Sequence, residues 1–149
     1  GEQIYLYYGG VAGAHTGAKF KQVQRRHQPM LGLATLRRDG FVSLDAGDEE
    51  GFALSKPMRV AGEELHVNVD AARGQLIVAF ADDKGNPLPD YTSAPIAVDQ
   101  TDTLVPFSQG LEALAGQEVR VRLQLRNAGL YSYWFASAAD ELSERERRP

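Results

Sequence analysis

Residues 118–126 alternate without a fault: Val119, Val121, Leu123 and Leu125 fall on one side of an extended chain, and Glu118, Arg120, Arg122, Gln124 and Arg126 on the other. Successive strand side chains point to opposite faces, so one face of this strand belongs to a core and the other to water. The same period recurs at 64–71, with Leu65, Val67 and Val69 inward and His66, Asn68 and Asp70 outward, and at 75–81, where Leu76, Val78 and Phe80 share a face. Further strands are expected at 41–45, 52–60, 93–98, 103–107 and 130–135, about eight in all, with turn residues between them. DDKGNPLPD (82–90) reads as a loop, because Gly85 permits positive φ while Pro87 and Pro89 cannot donate to a ladder. QGLEALAGQ (109–117) reads as a short helical turn ended by Gly116. The fold expected is all-β, an antiparallel sandwich of jelly-roll type.

Residues 1–40 differ from the rest. IYLYYGG and MLGLATLRRDG are two strands of a β-hairpin with a long tip rich in Gly, His, Lys and Arg. A hairpin alone is marginal in water, and its Tyr5, Tyr7 and Tyr8 offer a surface for self-association. The organisation expected is hairpin at 1–40, sandwich at 41–136 and, at 137–149, a charged tail that is a frayed helix or disordered.

The 149 residues suffice for one core without staples, since a domain of that size buries roughly 70% of its unfolded surface. There is no cysteine, which removes disulfides, thiolate metal sites and a cysteine nucleophile. The formal charge of −4 is the opposite of a nucleic-acid footprint. No apolar stretch approaches the roughly 20 residues of a membrane-spanning helix, so neither nucleic acid nor membrane is an expected partner. The opening Gly-Glu-Gln is unlike an export signal, and an N-terminal neighbour is expected.

Two passages carry a resemblance. LGLATLRRDGFVSLDAG (31–47), preceded by YLYYGG (5–10), resembles the last propeller blade and the exit into the C-terminal sandwich of bacterial proteins similar to the fructan-hydrolase and arabinanase group of glycoside hydrolases. VRVRLQLRNAGLYSYWF (119–135) resembles the closing strands of that sandwich, and FADDKGNPLPDY (80–91) one of its strand-and-loop units. The similarity covers roughly 4–135. It implies a carbohydrate context, a secreted or extracellular protein, and a module appended to an enzyme. The propeller blades that would carry catalytic carboxylates are absent from these residues, so the resemblance assigns no catalytic residue.

Sugar binding asks for rings that meet sugar C–H groups beside planar polar side chains that bond hydroxyls. Arg120, Arg122, Gln124 and Arg126, with His66 and Asn68, would form a polar platform if their strands share a sheet. Tyr131, Tyr133 and Trp134 follow after a short Asn-Ala-Gly turn that makes a hairpin of 118–126 and 130–135, placing rings beside the arginine row. These nine residues are the expected carbohydrate site, for a polysaccharide or oligosaccharide, and guanidinium forks extend the range to acidic or sulfated glycans. The bland alternative is a packed aromatic strand and a salt-bridged surface on a purely structural accessory domain that clamps a propeller. Asp45, Asp48 and Glu49, with Glu50 in DAGDEEG, are ordinary solvated acids or the oxygens of a structural Ca²⁺ site. His15, His27 and His66 share no metal-ligand spacing.

Overall fold

A computed structural model describes residues 2–11 and 29–137. The hairpin tip and the tail from 138 onward lie outside the described residues. The chain divides into two compact units, Gly1–Arg38 and Asp39–Pro149.

In the first unit, β1 (Gln3–Val11) and β2 (Pro29–Arg37) form an antiparallel ribbon in which Tyr5 faces Thr35, Tyr7 faces Leu33 and Tyr8 faces Gly32. A Cβ on Gly32 would fall inside the Tyr8 ring. The missing side chain lets that ring lie across the neighbouring strand.

The second unit is two antiparallel sheets over one core. One holds β4 (Gly51–Leu54) and β5 (Met58–Arg59) along one side of β10 (Glu118–Arg126), then β7 (Gln75–Asp82) and β8 (Pro87–Thr92). The other is ordered β3 (Leu44–Ala46), β11 (Ala128–Ala136), β6 (Glu64–Asp70), β9 (Asp99–Leu104). The inward sets of 65–69, 76–80 and 119–125 are buried together. Phe80 bridges the layers, its ring stacked 6.3 Å from that of Phe135 in the opposite sheet.

Local chemistry explains the edges. β4 and β5 are one edge strand interrupted at Ser55, whose hydroxyl accepts the Val121 N–H at 2.8 Å and donates to the Lys56 carbonyl at 2.7 Å. The turn after β7 is tied by Asp82, whose carboxylate accepts the Lys84 and Asn86 N–H groups at 2.9 and 2.8 Å and the Asn86 side-chain amide at 2.7 Å. Gly85 sits there at φ 92°. The stretch expected as a loop at 82–90 is therefore only a turn, and Pro87 and Pro89 lie in β8. That strand is at a sheet edge, where a missing N–H costs little. The segment 93–98 contributes only a bridge between Ile96 and Leu76. Within 109–117 the helical turn is a 3₁₀ turn, Glu112–Leu114. Leu114 of this turn and Leu111 just before it are buried in the core.

The largest departure is at Asn127. Residues 118–126 and 130–135 are not hairpin partners: β10 and β11 belong to different sheets. Asn127, at φ 45°, is the whole connection.

Candidate functional site

Directly opposed residues of an antiparallel pair share a face, so the register defines the outer surface of the β10 sheet. One row across it is Phe52, Gln124, Ile77; the next is Leu54, Arg122, Ala79, Thr92; the third is Arg120, Ala81, Pro87. The middle row crosses four strands, about 14 Å at about 4.8 Å per step. Ala79 and Ala81 are small and make a floor. Phe52, Leu54 and Arg122 rise on one side, and Gly85, Pro87 and Thr92 on the other, around an open trough of about 410 Å³.

The three arginines of β10 have three different environments. Arg120 is tied down: its Nε donates to the Asp83 carbonyl at 2.9 Å and its Nη1 to the Ser55 carbonyl at 3.1 Å, linking the β7–β8 turn to the β4–β5 break. Arg122 lies over the Phe52 ring with its guanidinium carbon 5.1 Å from the centroid, within the range of a cation–π contact. Arg126 is exposed at the strand end and does not line the trough. Gln124 points its amide at Glu50, donating at 2.6 Å. Phe52 remains 57% exposed, a large apolar ring offered to solvent beside polar side chains.

His66, Asn68, Tyr131, Tyr133 and Trp134 are elsewhere, in the β11–β6 sheet. The expected common platform with the arginines does not form. His66 and Asn68 are also not exposed, at 8% and 0%. β6 is an interior strand, and side chains of its neighbours close over His66. The Trp134 ring stacks on the imidazole at 5.6 Å, Asp102 Oδ1 lies 2.6 Å from Nδ1, and Glu64 Oε2 lies 3.3 Å from Nε2. Burial favours the neutral ring, but the hydrogen bonds and charges of Asp102 and Glu64 outweigh it, and the pKa is raised above its ordinary 6.5. With both ring nitrogens engaged, this histidine ties the edge strand β9 to β6. Tyr133 turns inward against the core, with its hydroxyl 3.9 Å from the Met58 sulfur. Tyr131 falls at the β11 bulge and is half-buried.

The acids of DAGDEEG are split between layers. Asp45 is in β3, accepts the Ser43 hydroxyl at 3.0 Å, and lies against Gly129. Glu50 leads into the opposite sheet and is held by Gln124, while Asp48 and Glu49 are exposed. Among the described residues no group of three or more His, Asp or Glu side chains is placed to hold a metal.

Sequence reasoning missed Phe52, Leu54, Ala79, Ala81 and Thr92 as site residues. The signal was the alternation in LIVAFAD, where both faces are apolar but the outer one carries two alanines, Ala79 and Ala81, as a strand whose outer face is a floor would. Comparison of the chain with family models, with curated proteins and with solved structures returns no match.

Proposed function

We propose that the sandwich is a non-catalytic carbohydrate-binding module and that its ligand, a polysaccharide or oligosaccharide chain, lies in the trough on the outer face of the β10 sheet. The observation that carries this reading is the exposed Phe52 ring beside Arg122, Gln124 and Thr92 above an alanine floor. A ring gives sugar C–H groups an apolar platform, and the planar polar groups fix hydroxyls. An open trough suits a chain passing across it. Counting the sandwich strands from β3, with β4 and β5 as one, the sheet orders are first-eighth-third-sixth and second-seventh-fourth-fifth. Those orders support a jelly roll, an architecture that recurs in lectin domains. The resemblance of 31–47 and 119–135 to the sandwich of glycoside hydrolases favours a secreted carbohydrate-active context.

A glycan array probed with the full chain and with Phe52→Ala tests this. The wild type is expected to bind, and the variant to bind roughly tenfold more weakly, as for loss of an aromatic anchor, with an unchanged melting temperature. One observation favours the alternative of a structural domain that packs on a propeller: Tyr7, Leu31 and Leu33 share one ribbon face of β1–β2 and are exposed. Silence across the array, with both proteins folded, would decide for that alternative.

A further inference from the structure

We propose that the glycan held in the trough is acidic, and that Arg122 reads its carboxylate or sulfate group. The inference rests on the carbohydrate reading above and adds the charge of the ligand. Arg122 is the single charged residue among those lining the trough, and no carboxylate lines it. Among the described residues its guanidinium has no hydrogen bond or ion pair, and it lies over the Phe52 ring at 5.1 Å.

The neighbouring polar groups leave this role to Arg122 alone. Arg120 is committed to the carbonyls of Asp83 and Ser55, and Arg126 stands outside the trough. Glu50, outside the trough, is engaged by the Gln124 amide. The contact with Phe52, 5.1 Å from the guanidinium carbon to the ring centroid, takes up none of the N–H groups along the guanidinium edge in a hydrogen bond. That edge matches the two oxygens of a carboxylate or the oxygens of a sulfate ester. The chain as a whole carries −4, so a diffuse attraction of polyanions is not expected. Any preference for an acidic chain must come from a local site.

The test uses polygalacturonate beside its carboxyl-reduced, neutral form, and dextran sulfate beside dextran, titrated into the full chain by calorimetry. One acidic polymer is expected to bind about tenfold or more tightly than its neutral counterpart, as for a hydrogen bond to a charged group. Which of the two does so distinguishes carboxylate from sulfate. Added salt should reduce the preference. Arg122→Gln should bring acidic and neutral forms within about twofold of each other, while Arg126→Gln leaves the preference intact. If the neutral forms bind as well as the acidic ones, or if Arg122→Gln keeps the preference, the acidic assignment is overturned and the carbohydrate reading stands. If none of the four polymers binds and the glycan array is also silent, both fall.

Discussion

Leu123 and Gln124 are adjacent in the chain and opposite in environment, the first in the core and the second on the outer face. Leu123→Ala is expected to cost about 2–5 kcal/mol, as for other buried leucines, and Gln124→Ala less than about 1 kcal/mol, because its bond to Glu50 is exposed; urea unfolding measures both. This contrast was legible in the sequence, since strict alternation along a half-buried strand says which residues face the core. The fate of His66 and Asn68 was not. Alternation places them on the outer face, but whether that face is open depends on neighbouring strands far away in sequence. For His66 the consequence is a pH dependence. Its folded pKa is raised, so its stabilising contribution is complete below the unfolded value of 6.5 and is lost as the pH rises through the folded value. The urea midpoint of the wild type should fall relative to that of His66→Gln as the pH rises from about 6 through the folded value. Parallel midpoints across that range would contradict the Asp102–His66–Glu64 contacts.

At the scale of elements, the connection through Asn127 decides which strands share a sheet. A non-glycine residue in the left-handed region is tolerable for asparagine and strained for a β-branched side chain. Asn127→Val is therefore expected to lower stability by about 1–2 kcal/mol, and Asn127→Gly to change it by under about 1 kcal/mol. The sequence showed a turn at Asn-Ala-Gly but not its direction, because a hairpin and a crossover between layers use the same residue types. Pro87 and Pro89 misled in a similar way: they exclude an interior strand and are acceptable at an edge. The turn between β7 and β8 walls the trough, and Asp82 holds it. Hydrogen bonds from the Asn86 side chain first, then from backbone N–H groups of 84–86, lower the Asp82 pKa below its ordinary 3.8. A lowered carboxylate pKa stabilises above the ordinary value and ceases to do so as the pH falls through the folded one. Hydrogen exchange at Lys84 and Asn86, corrected for intrinsic rates, should lose protection only below about pH 4, and Asp82→Ala should remove it at neutral pH.

For the whole molecule, the antiparallel all-β class and most strand positions followed from periodicity and turn chemistry. The site followed only in part. Of the nine expected sugar-binding residues, Arg122 and Gln124 line the trough. The floor and far wall come from β7 and β8, which no local pattern joins to β10. A functional face is a property of register across a sheet, and register is set by long-range pairing. The central claim, a glycan in this trough, is tested most directly by amide chemical-shift mapping during titration with oligogalacturonate and with a neutral cello-oligosaccharide. The account predicts saturable shifts clustered at Phe52, Ala79, Ala81, Thr92 and Arg122 with at least one of the two. Shifts centred instead on His66 and Trp134 in the opposite sheet, or the absence of shifts at the trough with both sugars, would contradict it.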